Sequence, residues 1–572
     1  MGDNGDMAAD GYASADTASA TEAGEVTGAQ TGGPRQRTSA GGSREGTLIS
    51  RDPATGAVLG EAQATAPEEI EEIVAGVARV QPLWALLRVV DRARYMRRMA
   101  QAIIDEYDAL LKIVAREQGR PHAEVAALEL LSAIDALGWI AHEGASVLGV
   151  RRVGTHRSLT PGTQARVAYE PFGTIGVIGA GSAPFAQPLG QVAGALLAGN
   201  GVVFKPARRA CLAGEALMGV LGRAGLPEGL VAIVHGGARV GVALARSPGI
   251  GKVLFTGSPA VGRAVARECV SREREVTVEL GGKDAMIVLA DADLPGAVDG
   301  ALWAGCAGAG QARGAVERVY VAREVLEPFT EALVARAREL RVGNPDDPSV
   351  QVGPLASRRR LAHVCELVDE TVAQGARLRC GGPLDQTPPG CAPDAAFYAP
   401  AVVSGAGSET RLMREPIDGP VLAVVPVDSV QEAIARANDC EYGLGASIWT
   451  NDRYRGLRIA RELRAGMVWC NDHLPGPALT RGPWGAASGA GLGKTLGETG
   501  LRACAQEKLI AYRPPGLRGL WWGPYDETTA RAARAIAKLR SGRDSDRERA
   551  WRQGAPALAR VGARMLRRGV PR

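Results

Sequence analysis

A small set of positions in this chain has the residue types and settings that chemistry needs. Glu279 leaves an apolar stretch, VTVEL, and is followed at once by two glycines. A single carboxylate at the end of a buried strand is a candidate general base. The plainer reading is a structural carboxylate held in a salt bridge. Lys205 closes another apolar run, GVVFK. At the carboxyl edge of a parallel sheet a lysine can hydrogen-bond ribose hydroxyls, and the plainer reading is a surface lysine. Between these two, KVLFTGS runs into SPAVGRAVAREC, with Gly257 and Gly262 bracketing the turn. Small residues there let backbone N–H groups and a helix N-terminus face a pyrophosphate. Alone, the same spacing fits any tight strand-to-helix turn.

The thiols carry a different message. Cys211, Cys269, Cys306, Cys365, Cys380, Cys391, Cys440, Cys470 and Cys504 are scattered, odd in number and include no CxxC pair. That pattern argues against a disulfide framework and against a zinc site, so no metal is expected. Reduced thiols in a cytoplasm fit it. The first residues show no basic segment followed by an apolar one, so no signal peptide is read.

The elements that must position these residues follow from composition and periodicity. A chain of 572 residues, 46% hydrophobic and 23% charged, has the make-up of a globular protein with more than one domain. A formal net charge of +5 is modest for this length and implies no nucleic-acid partner. Residues 1–46 are rich in Ala, Gly, Ser, Thr and Asp with almost no large apolar residue, and are expected to be a disordered leader. RDPATGAVLGEA reads as a hairpin. Ile70, Ile73, Val74 and Val77 keep a helical period, and Arg92 through Leu111 reads as one amphipathic helix. No charge occurs between Glu170 and Lys205, but Pro171, Pro184 and Pro188 interrupt the stretch, which therefore reads as buried strand, loop, helix and strand instead of a membrane span. From Val167 onward strands and helices alternate: GTIGVIGA, then SAPFAQPLGQVAGALLAGN, then GVVFKPA, then CLAGEALMGVLGRAG ending at Gly225, then VAIVHG and KVLFTGS. Alternation of this kind predicts a parallel, doubly wound sheet. A second α/β region is expected from about Asp284 to Pro483, with RVYVA as a strand and VLEPFTEALVARAREL and QEAIARAN as helices. Beyond Tyr512 lies a basic tail. In it Arg531, Arg534 and Lys538 share one helical face, and Ala532, Ile536 and Leu539 share the other. An interfacial membrane or partner helix and an ordinary solvated appendix both fit, and the second is favoured.

At this level the chain resembles a known family. YEPFGTIGVI, VVFKPA, GLPEGL, VLFTGS, ELGGKDAMIV, GQARGAVERVYV, GNPDDPSVQVGPL, GPVLAVVPV, ANDCEYGLGASIWTND and PWGAASGAGLGK stand in the order in which the aldehyde dehydrogenase superfamily carries such blocks, over about residues 47 to 512. The resemblance implies an α/β, aldehyde dehydrogenase-like fold: a Rossmann-type cofactor domain, a second α/β catalytic domain and a β oligomerisation arm. The implied boundaries are 47–150 with 170–282 for the NAD(P)-binding domain, 283–483 for the catalytic-type domain, and 151–169 with 496–512 for the arm. The segment 513–572 is left as the basic tail. By the same resemblance Lys205 matches the lysine on the adenosine ribose. Gly257, Ser258 and Gly262 match the phosphate turn, Leu280 lies beside the nicotinamide and Glu279 matches the general base. The implied chemistry is attack of a cysteine thiolate on an aldehyde, hydride transfer to NAD(P)+ and hydrolysis of the thioester.

The resemblance also exposes departures. The family writes Gly-Gln-any-Cys for its nucleophile, whereas the block here reads Gly310, Gln311, Ala312, Arg313. The spacing of 34 residues from Glu279 is kept and GAVERVYV follows in register, so no gap recovers a cysteine. A guanidinium is permanently protonated and has no nucleophilic lone pair. Cys306, two helical turns earlier, would stand about 10 Å away along a helix axis, against the roughly 3–3.5 Å that attack needs. Cys470, just before Asn471, either approaches the substrate side of the cavity or packs in a strand, and the second is favoured. Ser182, within Ala180-Gly181-Ser182-Ala183-Pro184, stands at the oxyanion Asn position, where loss of one donor costs about 10²–10³ in rate. Pro416 and Asp418 stand where the family has Glu and Phe before Gly-Pro, with Glu415 one residue off, and Ser488 stands at the usual Lys. Arg208 falls where NAD-preferring members often carry Glu. A cation there suits the 2′-phosphate of NADP, and a solvated arginine beside Arg209 is the plainer reading.

The expectation is therefore an aldehyde dehydrogenase family protein that is a pseudoenzyme, or strongly impaired, because Arg313 replaces the nucleophile. It keeps an NAD or NADP site and assembles with itself or with a paralogue. Arg313 is expected to lie near Glu279 and pair with it, or to hold an acidic ligand in the old substrate tunnel in place of an aldehyde. The alternative is an active NAD(P)-dependent (semialdehyde-type) dehydrogenase by a non-standard route, with Glu279 driving direct hydride transfer from an aldehyde hydrate.

Overall fold

The computed structural model describes residues 46–154, 160, 162–473, 479–517, 519, 521–523 and 525–566. The leader expected over residues 1–46 lies, apart from Gly46, outside the described residues. The chain divides into two compact units, Met1–Val147 with Pro171–Ala505, and Leu148–Glu170 with Gln506–Arg572.

The first unit opens on the expected hairpin, β1 (Thr47–Arg51) against β2 (Val58–Gln63). Helices Ile70–Ala85, Val89–Asp105, Tyr107–Gln118 and Ser132–Val147 follow. In the first of them Ile70, Val74 and Val77 are buried, as their period requires. The single helix expected from Arg92 to Leu111 is two helices, broken at Glu106 (φ −106°, ψ 17°). The physical reason is divided packing. Val89–Asp105 packs chiefly on Ser132–Val147, whereas Tyr107–Gln118 packs chiefly on Cys211–Arg223, which both helices touch. The stretch His122–Val147 is apolar and long enough to cross a membrane, yet more than half of it is buried inside this unit.

In the second unit β3 (Arg151–Val153) pairs antiparallel with β4 (Gln164–Pro171). The main βα run then begins in the first unit with β5 (Thr174–Ile178), β6 (Gly201–Lys205), β7 (Val231–Ile233), β8 (Ile250–Gly257) and β9 (Glu275–Leu280). A second run comprises β10 (Asp284–Val288), β11 (Val316–Ala322), β12 (Arg377–Pro383), β13 (Tyr398–Ser404), β14 (Val421–Val427), β15 (Gly445–Trp449) and β16 (Met467–Cys470). Two late strands, β17 (Gly491–Leu492) and β18 (Ala505–Tyr512), complete the set. The first sheet has the order β17-β9-β8-β5-β6-β7, with β17 antiparallel and the rest parallel. The second has the order β12-β13-β14-β11-β10-β15-β16, with only β12 antiparallel. The third, β18-β4-β3, belongs to the second unit. Every residue of β5, β6, β10 and β15 is buried, as parallel strands covered on both faces must be. The helix Ala186–Leu197 between β5 and β6 is buried along its whole length. This accounts for the uncharged stretch as sheet and covering helix.

The basic tail forms two helices, Glu527–Leu539 and Asp544–Leu566. They pack on each other through Ala532, Ala557 and Val561, while Ile536 and Leu539 of the apolar stripe are only half-buried.

One buried carboxylate ties these layers to the turn after β6. Glu117 accepts from the Ser50 hydroxyl at 2.7 Å and from the backbone N–H groups of Leu212 and Ala213 at 3.0 and 2.8 Å. It therefore caps the helix Cys211–Arg223 and fixes the loop that carries Arg208. Glu117→Ala leaves those donors buried without partners. The expected loss is about 2–4 kcal/mol in urea unfolding, and a loss below about 0.5 kcal/mol would contradict this role.

Candidate active site

Glu279 stands near the end of β9, where β17 runs antiparallel to it with Gly491 opposite, and the Leu280 N–H donates to the Ala490 carbonyl at 3.0 Å. The side chain is almost wholly buried. Its carboxylate accepts from three side chains: the Gln187 amide and an Arg313 guanidinium N–H on Oε2, and the Thr495 hydroxyl on Oε1. Arg313 is buried as well. It donates a second bond, from Nε, to the Leu280 carbonyl at 3.3 Å, and lies 5.9 Å from the Trp484 ring centre. Its Nη2 is buried with no hydrogen-bond partner among the described residues.

The loop that delivers Arg313 is built from unusual backbone. Gly308, Ala309 and Gly310 all have positive φ (61°, 55° and 73°). At Gly310 no side chain is possible, because a Cβ would stand 2.1 Å from the Gly419 carbonyl oxygen. The loop is pinned from outside by Glu124, which accepts from the Gly308 N–H at 2.8 Å and from Arg120 Nε at 2.6 Å. Arg120 also bonds Glu129 at 2.9 Å and the Ser182 carbonyl at 3.4 Å. Glu129 holds the Phe185 and Ala186 N–H groups at 3.2 and 2.8 Å. One buried network thus fixes both the segment before Arg313 and the turn containing Ser182. Gln311 extends it, donating to the Gly308 carbonyl and accepting from the Ala356 N–H, at 2.8 and 2.9 Å.

The dinucleotide candidates lie on the same sheet edge. Lys205 ends β6, is buried, and donates to the Pro206 carbonyl at 3.3 Å. Gly257 ends β8, and Ser258 is the N-cap of the helix Pro259–Val270, with no side-chain cap bond. That first turn is therefore open to an anion. Gly262 does something the spacing did not reveal. A Cβ there would stand 2.2 Å from Leu280 and 2.9 Å from Val278, so glycine lets the helix seat on β9. Arg208 is exposed on the turn after Lys205.

Other departures seen in the sequence have internal partners. Asp418, held at φ 52°, pairs with Arg360. Glu415 pairs with Arg411 at 2.9 Å. Lys283, wholly buried, meets Glu317 at 2.5 Å, and Glu317 in turn accepts from the Ile417 N–H at 3.1 Å. Neither alternative thiol has a nucleophile's setting. Cys306 is buried and its thiol is pushed up to about 12 by burial, and Cys470 is exposed at the end of β16. Among the described residues no group of His, Cys, Asp and Glu has a metal-binding arrangement.

Sequence reasoning missed Gln187 and Thr495, which are 92 and 216 residues from Glu279. It also missed Asp284 and His473. His473 Nε2 donates to the Gly314 carbonyl at 2.8 Å and lies 3.7 Å from Asp284 Oδ2. Burial pulls His473 down to about 4, so the ring is neutral at ordinary pH.

The comparisons with known proteins agree with this architecture. The family model described as the aldehyde dehydrogenase family matches residues 41–510. A betaine aldehyde dehydrogenase from Cereibacter sphaeroides is 35% identical over 459 residues, which cover 80% of this chain and 92% of that protein. The chain belongs to the aldehyde dehydrogenase family. Among solved structures, the Mycobacterium tuberculosis aldehyde dehydrogenase complexed with NAD+ matches with a TM-score of 0.77 at 31% identity, over 82% of this chain and 95% of that one. A putative aldehyde dehydrogenase from Burkholderia cenocepacia matches with a TM-score of 0.78 at 30% identity, over 84% and 96%. The two mainly parallel sheets are thus the α/β architecture of aldehyde dehydrogenases, and the family matches account for most of the described chain.

Asp284 gives a pH test of the site's packing. Its carboxyl is closely wrapped: a Cβ on Gly282 or Gly445 would fall 2.4 or 2.2 Å from its oxygens. Burial pushes it up to about 7. In the unfolded chain the same group ionises near pH 4. Between those values the folded protein binds the extra proton, so this residue lowers stability as pH rises from about 4 to about 7, and its effect is constant above that. Asp284→Asn is expected to gain stability relative to the native chain on going from about pH 4 to about pH 8, by on the order of a few kcal/mol. Parallel stability curves for the two proteins would contradict this.

Proposed function

We propose that this chain is an aldehyde dehydrogenase family protein in which oxidation of aldehydes to acids through a thiohemiacetal is lost or strongly impaired, while NAD or NADP binding and oligomer assembly are kept. The observation that carries the reading is the buried pair between Arg313 and Glu279. On the family resemblance Arg313 occupies the nucleophile position, and it offers no atom that can attack a carbonyl carbon. The same guanidinium occupies the carboxylate proposed as the general base. Glu279 would have to shed the Arg313, Gln187 and Thr495 bonds before taking a proton. Ser182, at the proposed oxyanion position, has a shorter reach than the family's amide, and its turn is held by Arg120.

Cofactor binding is supported by different residues. Lys205, Gly257, Ser258, Gly262 and Leu280 would hold the adenosine ribose, the pyrophosphate and the edge of the nicotinamide, with Arg208 near a 2′-phosphate. The relatives from Mycobacterium tuberculosis and Bacillus cereus were solved with NAD+. A bound dinucleotide would supply a hydride acceptor. The chain's own groups would orient it and keep water from Glu279. In this reading the cofactor half comprises residues 47–150 and 170–282, and the catalytic-type half residues 283–483. The assembly arm is 151–169 with 496–512, where β18 carries Leu509, Ile510 and Tyr512 exposed. A second copy, or an active paralogue, is the proposed partner, in a cytoplasm suited to free thiols. The ligand of the old tunnel would be an aldehyde or a small acid.

The relatives named as betaine aldehyde dehydrogenases keep a second reading in view, active oxidation by a non-standard route. It requires Arg313 to release Glu279 on substrate binding. The test is NAD(P)H formation over a panel of aldehydes by the native chain and by Arg313→Cys. The native protein is expected at background, and the variant on the order of tenfold or more above it. Native turnover equal to or above the variant's would overturn the proposal.

A further inference from the structure

The two helices of the basic tail form an antiparallel hairpin with unequal faces. Arg564, near the end of Asp544–Leu566, pairs with Asp526 at the N-cap of Glu527–Leu539. Midway, Gly554 meets Ala535, and a Cβ on that glycine would stand 2.2 Å from the Ala535 Cβ. The seam is made of small residues. Ala532 and Ala535 of the first helix and Ala550, Gly554, Ala557 and Val561 of the second are buried. At about 3.6 residues per turn, Ile536 flanks this seam on the first helix, and Trp551 and Leu558 flank it on the second. Because the helices run antiparallel, those flanks lie on the same face of the pair. Trp551 is 63% exposed there, and Ile536 and Leu558 are half-buried. Arg531, Arg534, Lys538, Arg549 and Arg560 fall on the opposite face, and all five are exposed. Among the described residues only Arg531 of these has an ion pair, with Glu527.

A seam of alanine and glycine removes little apolar surface from water, and units of about 40 residues rarely hold together on so little. The hairpin therefore calls for a further surface, and its composition specifies which. One face offers an indole and two aliphatic side chains. The other offers cations without partners. From residue 513 onward the chain has fifteen Lys and Arg against five Asp and Glu, whereas the whole chain has 67 against 62, so the basic excess belongs to this segment alone. Trp522 and Tyr525, just ahead of the first helix, are exposed as well. Rings with an apolar body and a polar edge settle where acyl chains meet headgroups, and clustered Lys and Arg are drawn to anionic headgroups. A nucleic acid would engage the cations and leave Ile536 and Leu558 without an apolar partner. A second hairpin on the same face would bring two strongly basic segments together. Periodicity within the first helix favoured a solvated appendix, and it is the second helix that completes an apolar face.

We infer that the hairpin face bearing Ile536, Trp551 and Leu558 docks on a bilayer surface containing anionic lipid. Trp551 sits at the headgroup boundary, and the cations of the segment are held by lipid phosphates. The hairpin lies beyond residues 41–510, which match the family. Docking therefore sets where the protein resides and is independent of the nucleophile position and of the dinucleotide reading.

The experiment is flotation of the full chain with vesicles of phosphatidylcholine alone, and of phosphatidylcholine with about one third phosphatidylglycerol, at low and at high salt. The proteins are the native chain, Trp551→Ala and the double variant Arg534→Gln with Lys538→Gln. All three substituted side chains are exposed, and thermal unfolding checks that the variants fold. The native chain is expected to partition onto the anionic vesicles at least about tenfold more than onto the neutral ones, with the advantage falling as salt rises. Trp551→Ala is expected to lose about fivefold or more of that binding, and with it most of the quenching of tryptophan emission by brominated acyl chains. The double variant is expected to lose a similar factor, about fivefold or more. Equal partition onto both kinds of vesicle, or variants that bind as the native chain does, overturns the inference. It is also overturned if the native chain binds no vesicle but binds duplex DNA in a way the double variant loses, which assigns the cations to a nucleic acid. The same holds if light scattering shows Trp551→Ala reducing the size of the native assembly with no vesicle binding, which assigns the face to a second copy.

Discussion

A guanidinium and a carboxylate taken together out of water set the terms for the centre of this protein. Neither Arg313 nor Glu279 has solvent to fall back on. Removing one partner of such a pair leaves an uncompensated buried charge, at a cost of about 3–5 kcal/mol. The neighbours are arranged accordingly. Gln187 and Thr495 give the carboxylate its remaining donors, the Leu280 carbonyl takes a second guanidinium bond, and the Trp484 face lies alongside. An interaction of this kind is built for holding. A general base needs free lone pairs and a path for the proton, and Glu279 has its oxygens engaged on both sides.

The surroundings repeat the pattern. Where the family resemblance leads one to expect groups that meet substrate or nicotinamide, this chain has residues satisfied by one another. Asp418 is taken by Arg360, Glu415 by Arg411, and the segment ahead of Asp418 is pinned through Glu317 to Lys283. The Arg120, Glu124 and Glu129 network holds the Arg313 loop and the Ser182 turn in fixed relation. By contrast, the helix Pro259–Val270 has no side-chain cap at its N-terminus.

Much of this was legible in the residues because it depends on local rules. Apolar runs ending in Gly or Lys gave β5, β6 and β8, and the position of Glu279 at a strand end followed from its neighbours. The identity of residue 313 needed only register. What could not be read is what depends on contacts across long sequence separations. Gln187 and Thr495 are ordinary residues until folding brings them to Glu279. Gly262 looked like a phosphate-turn glycine, and its closest constraint is helix packing on Leu280. The break at Glu106 came from two helices seeking different partners, which periodicity within one segment does not encode. Asp284 and His473 carried no motif at all.

The central claim is that no sulfur reaches a carbonyl carbon beside Glu279. The most direct measurement is intact-protein and peptide mass spectrometry after incubation with an acyl-donating ester or a reactive aldehyde analogue. The account predicts no acyl adduct on Cys306 and only slow, unselective labelling of exposed thiols such as Cys470. A stoichiometric adduct on a single cysteine, formed faster with NAD(P)+ present and blocked by a competing aldehyde, would contradict it.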